Sequence, residues 1–354
     1  MAAADDIVLV ARQQRRKHAR RDILSRATLL IVLMLGAIAM LFPLVWMVSS
    51  SLKPLAQINL FPPRWIPTEQ IKVEVDGEVY PLYEVELDGE TRQLLMVDKV
   101  KRTGVFAQPG DISQTMEVDV RQAEPVERVR FRWDNYVEAM TTVPFHRYAI
   151  NTAIVVFGSM AGMLISTTLV AYGFSRFRAP GLNILFLILL STTMLPSQVM
   201  LIPTYILFSK LGWIDTLKPL IIPSFFGGAY DVFLLRQYFM TIPLELDDAA
   251  RIDGCGVMGI FFRILLPLAK PAIATLAIFH FMWAYNNFFG PLIYLQHQRN
   301  FTIALGLQSF NAFRAARYDL LMAASLVTVL PCILLFFFAQ RIFIQGIVIT
   351  GVKG

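Results

Sequence analysis

Four carboxylates and an arginine are concentrated in one segment between two apolar stretches of the chain. Pro243 sets the start of a helix there, and three of the acidic residues, at positions 245, 247 and 248, fall in its first turn, where they interact favourably with the helix dipole. Gly254 ends this helix. The segment is therefore suited to pairing charges with another surface, and its charged side chains are Glu245, Asp247, Asp248, Arg251 and Asp253.

A second short helix is predicted from Val257 to Leu265, because Ile260, Phe261 and Ile264 recur at helical spacing. Pro267 is expected to break it. The two helices would form a hairpin that can dock to a partner protein. These residues alone leave open a second interpretation, in which the hairpin has no docking role, since any helical hairpin beneath a membrane bundle can be amphipathic.

Nucleotide hydrolysis and metal chemistry find no support in the sequence. A phosphate-binding loop needs Gly, four residues, then Gly-Lys and a hydroxyl, and the nearest match, Gly346 to Lys353, misplaces the lysine. The histidines have no metal-ligand spacing, and we predict no catalytic, cofactor or metal site. They are His18, His146, His280 and His297.

Polar side chains inside apolar helices are candidates for contact with a transported substrate. Burying such side chains in hydrocarbon is energetically unfavourable, so their presence indicates a function. Aromatic rings beside amides are typical of sites that bind small molecules. Structural pairing between helices and ordinary aromatic belts remain open alternatives. The candidates are Gln198, Tyr230, Asp231, His280, Tyr285, Asn286 and Asn287, with Asn286 favoured.

The composition places these segments in a membrane protein. Of 354 residues, 56% are apolar and 16% charged, against roughly 45–50% and roughly 25% in soluble domains. The apolar residues gather in runs of membrane-spanning length. Six spans are predicted: Thr28–Ser50, Ala149–Gly173, Leu182–Phe208, Leu217–Met240, Pro271–Leu295 and Leu320–Phe343.

Lysine and arginine are distributed unevenly over the short loops and the span ends beside them, with 15 on the side of the termini and 5 on the other. Positive residues stay in the cytoplasm, so both termini are predicted to be cytoplasmic, in a bacterial inner membrane. A cleavable signal peptide is the alternative for the first span, but its apolar core would be shorter. The positive net charge of +6 is therefore attributed to the basic residues that orient the chain in the membrane, and no nucleic-acid partner is expected.

The first external loop is long enough to contain a folded unit. Alternating residues meet Asp76-Gly77 and Asp88-Gly89, which predicts two hairpins. Stretches at 116–120 and 126–131 alternate similarly, so a small β-rich insertion is expected at about 69–131. The predicted organisation is a basic tail (1–27), a first helix (28–50), the external loop (51–148), a transmembrane core (149–343) with a cytoplasmic loop (241–269), and a carboxyl tail (344–354).

The hairpin segment resembles the permease subunits of bacterial ATP-binding cassette (ABC) importers. Their loop reads Glu-Ala-Ala, three residues, Gly, nine residues, Ile, one residue, Leu-Pro, and the spacing matches here with Asp248 in place of Glu. Further segments resemble the carbohydrate-uptake class of maltose-permease type. They include Leu235 to Phe239, Arg251 to Gly254, Lys270 to Ala272, Phe61 to Pro67 and Gly351 to Gly354. The resemblance does not extend to residues 69–131.

This resemblance implies an all-α, six-helix type I ABC importer permease fold that carries the β-rich insertion. It also implies a second homologous permease, two ATPase subunits that bind ATP and Mg, and an external sugar-binding protein as partners in the lipid bilayer. The residues that would couple to the ATPase are Asp248, Ala249, Ala250, Arg251, Asp253, Gly254, Ile264, Leu266 and Pro267. The β-rich insertion is expected to contact the binding protein or the second permease.

Two other hypotheses remain open on the sequence. One is a secondary transporter driven by an ion gradient, with Asp231 as its coupling carboxylate. The other is a membrane anchor whose function lies in the external β-rich insertion.

Overall fold

The computed structural model describes residues 2–87, 90–100, 102–311 and 316–351. The chain divides into two compact units, Met1–Asn135 and Tyr136–Gly354. The first unit holds a long helix and the strands, and the second holds most of the helices.

The first unit begins with α1 (Ala2–Ser51), whose apolar part, Ser25–Ser51, is long enough to cross a membrane. A single turn, α2 (Leu55–Ile58), follows. The buried side chain of Asn135 donates hydrogen bonds to the carbonyls of Ser51 (2.8 Å) and Lys53 (2.9 Å), which satisfies backbone groups at the end of α1.

The remainder of this unit is antiparallel β structure. The sheet has the order β2-β3-β4-β5-β6, with β7 paired to β3, while β1 and β8 form a separate ribbon. The ribbon brings the two ends of the β-rich insertion together. The strands are β1 (Thr68–Gln70), β2 (Lys72–Val75), β3 (Glu78–Leu87), β4 (Glu90–Val100), β5 (Thr103–Gln108), β6 (Asp111–Asp119), β7 (Ala123–Pro125) and β8 (Glu127–Val129).

The first predicted hairpin forms as expected, with Val75 opposite Glu78. Both turn residues, Asp76 and Gly77, have positive φ, the combination that a two-residue hairpin turn of type I′ requires. The second predicted turn, residues 88–89, lies outside the described residues, but the strands on either side of it pair. The structure differs from the prediction in that one long strand, β3, serves both hairpins.

The sheet buries its own small core, built from Val85, Leu94, Phe106, Val118 and Ala123. These side chains come from alternating positions of neighbouring strands, which is why they share one face. Hydrophobic packing thus holds this part of the chain together, as expected for a segment without cysteine.

The second unit is helical. Its helices, counted from the one that begins at its boundary, are α3 (Asp134–Thr142), α4 (Phe145–Arg176), α5 (Leu182–Ser191), α6 (Ser197–Lys210), α7 (Lys218–Ile221), α8 (Ala229–Thr241), α9 (Glu245–Ile252), α10 (Val257–Ile260), α11 (Leu266–Leu268), α12 (Lys270–Tyr285), α13 (Phe289–Tyr294), α14 (Ile303–Gly306) and α15 (Tyr318–Gly351).

The predicted count of six continuous spans is not confirmed. Among the described residues, three helices are long and apolar enough to cross a membrane: Ser25–Ser51, Phe145–Arg176 and Tyr318–Gln340. The count rises to five if each of two bent helix pairs is taken as one span. These pairs are Leu182–Met194 with Gln198–Lys210, bent by 99°, and Val257–Leu268 with Lys270–Tyr285, bent by 74°.

The prediction of one continuous helix from Leu217 to Met240 is wrong. The chain forms α7, a tighter helical segment at Ile222–Phe226, and then α8. Gly227 separates them with φ +76°, a conformation that ends a right-handed helix. The hydroxyl of Ser166 on α4 lies between the Gly162 carbonyl of its own helix (2.8 Å) and the Ser224 carbonyl at the break (3.1 Å), so a polar group freed by the break has a hydrogen-bond partner within the protein.

Helix α4 contributes to the buried clusters at both ends of the second unit. At its start, Tyr148 is fully buried with Ile303, Leu320 and Ala323. At its end, Ala171 and Tyr172 pack with residues of α8 and of the loop that follows α8.

We expect Gly306→Ala to destabilise the second unit. A Cβ at Gly306 would lie 2.3 Å from Cδ2 of Tyr148, whose buried ring has no space to move. Such overpacking costs about 1–3 kcal/mol, and thermal unfolding in detergent would show a lower midpoint. The control is Gly173→Ala in α4, where an added Cβ meets nothing within 4 Å and should raise stability by roughly 0.5–1 kcal/mol. Equal midpoints for Gly306→Ala and the parent protein would contradict this packing.

Candidate functional site

The predicted short helix exists as α9, and it is strongly two-sided. Asp247 and Ala250 are buried, whereas Asp248, Ala249 and Arg251 are exposed. The helix therefore lies with one face on the rest of the unit and leaves the other face uncovered by this chain.

A buried ion pair fixes the inner face of α9. Arg176, the last residue of α4, places Nε 3.4 Å from Oδ2 of Asp247, and both side chains are 3% exposed. Arg176 also donates through Nη2 to the Ile242 carbonyl (3.0 Å), just before α9. Because a buried charge without its partner is strongly unfavourable, this pair determines where α9 can sit.

The sequence analysis selected Asp248, and the structure shows that its neighbour Asp247 is the buried carboxylate. The side chain of Asp248 is 68% exposed, and its described partner is Arg251 in the next turn, at 3.5 Å. The sequence places Asp247 three residues before Ala250, on the same helix face, but it does not show that Arg176 at the end of α4 comes next to Asp247.

The end of α9 is closed as predicted at Gly254, whose φ is +81°. The N–H of Gly254 donates to the Arg251 carbonyl (3.0 Å), and that of Cys255 to the Ala250 carbonyl (2.8 Å). This pair of bonds is the Schellman arrangement, which favours glycine at the left-handed position. The turn into the second helix is thus defined by hydrogen bonds.

The second helix of the hairpin differs from the prediction in two respects. Ile260, Phe261 and Leu265 are buried in the cluster with α4 and α8, so this apolar face holds the hairpin on its own unit and is not free to dock. Helical turns also continue past Pro267 to Leu268, and the 74° bend falls at Ala269. Proline is tolerated there because it stands at the start of a helical turn.

Contacts with α4 hold this second helix in place. The hydroxyl of Tyr172 donates to the Val257 carbonyl (3.0 Å), and its ring lies 5.0 Å from that of Phe261. The exposed apolar side chains of the hairpin include Leu246, Ile252, Val257, Met258 and Phe262. The most exposed of them is Ile252, at 87%.

The remaining predicted coupling residues fall into two groups. Asp253 and Pro267 are exposed, and Ile264 and Leu266 are half-buried against the cluster that holds the hairpin. Only the exposed group can meet a partner protein directly.

Some of the predicted substrate-path residues are engaged in contacts between helices. The hydroxyl of Tyr285 donates to the Thr328 carbonyl on α15 (2.8 Å), and His280 shares a hydrogen bond with Ser159 on α4 (2.9 Å). Asn287 accepts from the Gly290 N–H (3.1 Å) and shapes the turn after α12. These three side chains therefore have hydrogen-bond partners within the protein.

Other path candidates are exposed or half-buried. Tyr230 is 61% exposed at the start of α8, directly after the break at Gly227, and Asp231 beside it is half-buried. Asn286 is exposed at the end of α12, where its amide donates to the Met282 carbonyl (2.8 Å). Gln198 is also exposed, on α6. The sequence analysis left out Phe226, which is exposed at the same break.

A second charged site, which sequence reasoning missed, joins two loops on the predicted external side. Asp215 accepts N–H bonds from Gln296 and His297, both at 2.9 Å, and pairs with the His297 ring at 2.5 Å. Burial opposes ionisation of this carboxyl, but the donated hydrogen bonds outweigh burial and hold the pKa of Asp215 well below its usual range. This contact makes the connection after α13 rigid.

Comparison with known proteins agrees with this arrangement. Residues 154–349 match the family described as "Binding-protein-dependent transport system inner membrane component". The arabinooligosaccharide permease AraQ of Halalkalibacterium halodurans is 39% identical over 191 residues, which are 54% of this chain and 68% of the relative. The sn-glycerol-3-phosphate permease UgpE of Pectobacterium atrosepticum is 34% identical over 209 residues, covering 58% and 74%.

Solved structures show the same fold. A chain of a bacterial ABC transporter for import of the acidic polysaccharide alginate matches with a TM-score of 0.64 at 18% identity, covering 91% of this chain and 97% of that one. Together with the family match, which spans more than half of the sequence, this likeness identifies the architecture as the type I importer permease fold. The protein belongs to the family of binding-protein-dependent transport system inner membrane components, the multi-pass permease subunits of ABC importers.

Proposed function

We propose that this chain is one of two permease halves in an importer that takes up a sugar or oligosaccharide delivered by a solute-binding protein. It pairs with a second, homologous permease and rests on two ATPase subunits, which bind ATP and Mg and supply the energy. Both termini lie in the cytoplasm. The names of the relatives and the bias of Lys and Arg support this assignment.

The observation that carries the proposal is the two-sided hairpin of α9 and α10. A segment that transmits a rigid-body movement must be fixed to its own subunit on one side and free to bind on the other. The buried Arg176–Asp247 pair provides the first property, and the exposed face with Asp248 and Ile252 provides the second.

The proposed division of roles follows from this geometry. Asp248, Ala249, Arg251 and Asp253 meet the ATPase, because they are exposed. Ala250, Gly254, Ile264 and Leu266 hold the hairpin in shape, and Pro267 begins the helical turn before the bend at Ala269.

The proposed substrate path uses the break in the fourth predicted span. Sugars present hydroxyl groups and apolar ring faces, so they are bound by amides and carboxylates beside aromatic rings. Tyr230 and Asp231 stand at the break, and Asn286 is exposed where α12 ends. Broken helices inside transporters expose polar groups near the middle of the membrane, where a substrate passes.

The external β-rich insertion is proposed to contact the binding protein or the second permease. The segment carries a net charge of −6 between Glu69 and Arg130, and it follows the first span on the predicted external side. Val79 is exposed and can carry a crosslinker. If crosslinking from this position in the assembled transporter reached neither the binding protein nor the second permease, the result would contradict this role.

Reconstitution with the partner subunits tests the importer proposal against a secondary transporter. Uptake by the assembled complex should require ATP and the binding protein, and it should persist when the proton gradient is dissipated. Uptake that follows the proton gradient and ignores ATP would instead favour the hypothesis with Asp231 as a coupling carboxylate.

We predict that Asp247→Asn destabilises the protein and that Asp248→Asn does not. The first substitution leaves the Arg176 charge buried without its partner, which costs about 3–5 kcal/mol, whereas the second removes an exposed pair worth at most about 1 kcal/mol. Thermal unfolding in detergent measures both. The double variant Asp247→Leu/Arg176→Met should recover much of the loss, and equal midpoints for the two single variants would contradict the buried pair.

Gly254→Val should uncouple ATP hydrolysis from uptake. Gly254 has φ +81°, which a β-branched residue adopts only with strain, so the hairpin turn would be distorted. Membrane insertion should remain normal, because an added Cβ meets nothing within 4 Å.

Gly256→Val is the matched control for this variant. Gly256 lies two residues away with equally open surroundings, but it has φ −73° and ψ 169°, which valine adopts readily. Its uptake per ATP hydrolysed should equal that of the parent protein. Normal coupling in Gly254→Val would remove the turn from the mechanism.

A further inference from the structure

We propose that a cleft at the outer end of α4 binds the phosphate group of an anionic phospholipid. The cleft has a volume of about 310 Å³ and is lined by Arg147, Ile150, Asn151, Arg299 and Asn300. Two arginines and two asparagines therefore line one opening, together with one apolar residue.

The two guanidinium groups are available to a ligand. Within the part of the chain that the structure describes, neither Arg147 nor Arg299 makes an ion pair or a side-chain hydrogen bond, and both residues are exposed. Guanidinium groups bind phosphate oxygens through paired N–H donors. Among the described residues, the carboxylate of Asp215 pairs with His297 and makes no ion pair with either arginine.

Hydrogen bonds hold the two walls of the cleft together. The amide of Asn151 on α4 donates to the carbonyls of Arg299 (2.9 Å) and Phe301 (3.0 Å). The amide of Asn300 donates to the Asp215 carbonyl (2.6 Å) on another loop. The loop that carries Arg299 is thus fixed against α4 before any ligand binds, which reduces the entropy lost on binding.

The depth of the cleft in the membrane suits a lipid phosphate. Arg147 lies in the first turn of α4, two residues before the predicted span Ala149–Gly173. At a rise of about 1.5 Å per residue, its Cα is roughly 3 Å beyond the end of the span, at the boundary between hydrocarbon and headgroups.

An exposed apolar stripe continues from the cleft along α4. Ile150, Ile154, Phe157 and Ile165 are all exposed, and their spacing places them on one side of the helix. The lining residue Ile150 is the first member of this stripe. A phospholipid with its phosphate at the two arginines would lay its acyl chains along the stripe, whereas a soluble anion would leave the stripe unused.

The test measures lipid binding to the purified full-length chain in detergent, by native mass spectrometry with added phosphatidylglycerol or phosphatidylcholine. We expect the parent protein to bind phosphatidylglycerol more tightly. Arg147→Gln/Arg299→Gln should lower that affinity by at least about tenfold, since each arginine contributes an independent attraction to the anionic headgroup. Arg299→Gln alone should give an intermediate loss.

Lys210→Gln, which removes an exposed positive charge at the end of α6, is the matched control and should bind like the parent protein. Unchanged thermal midpoints in lipid-free detergent would show that the variants are folded. If the double variant unfolds, the binding comparison is made with Arg299→Gln alone.

Two results would overturn the proposal. One is equal phosphatidylglycerol binding by the double variant and the Lys210→Gln control. The other is displacement of the lipid by millimolar inorganic phosphate or glycerol phosphate, which would indicate a soluble anion as the ligand.

Discussion

The position of the hairpin depends on one buried contact, the ion pair between Arg176 and Asp247. Arg176 ends α4, which is long enough to cross a membrane, and Asp247 lies in the first turn of α9, so the pair joins a membrane-length helix to the proposed coupling element. Taking two charges out of water is unfavourable, and the mutual attraction of the two groups and the bond from Arg176 to the Ile242 carbonyl offset this cost. The arrangement therefore tolerates few alternatives. A hairpin held in this way moves with α4 as a single body, and such coupled movement is what energy transfer from an ATPase requires.

The membrane imposes a second constraint, which shapes the proposed substrate path. Backbone groups in hydrocarbon must be hydrogen-bonded, so a helix can be broken only where the protein itself satisfies the freed groups. The break at Gly227 meets this condition through Ser166, and Gly162 on α4 leaves room for the ring of Phe225. The break is thus built into the packing, and it presents Tyr230 on an open surface. Tyr285 and His280 have the opposite character, because their polar atoms already link neighbouring helices.

Features that rest on local rules could be predicted from the sequence. Gly254 ends α9, and Asp76-Gly77 forms a hairpin turn, because each requires a backbone conformation that few residues adopt. Features set by tertiary position could not. Asp247 and Asp248 are indistinguishable as neighbours in sequence, and the choice between them depends on where α4 delivers Arg176. The burial of Ile260 and Phe261 likewise depends on the cluster that they form with α8. The cleft at the outer end of α4 is lined by residues about 150 positions apart in the sequence.

The account rests on the exposed face of α9 being covered by an ATPase subunit in the assembled importer. The direct measurement is the alkylation rate of a single cysteine placed at Ile252, the most exposed apolar position of the hairpin, with Cys255 and Cys332 replaced by serine. A cysteine at Val79 in the β-rich insertion provides the reference. Adding the ATPase subunits should slow alkylation at position 252 by an order of magnitude or more and leave position 79 unchanged. Equal rates at position 252 with and without the ATPase, in a complex that still transports, would contradict the account.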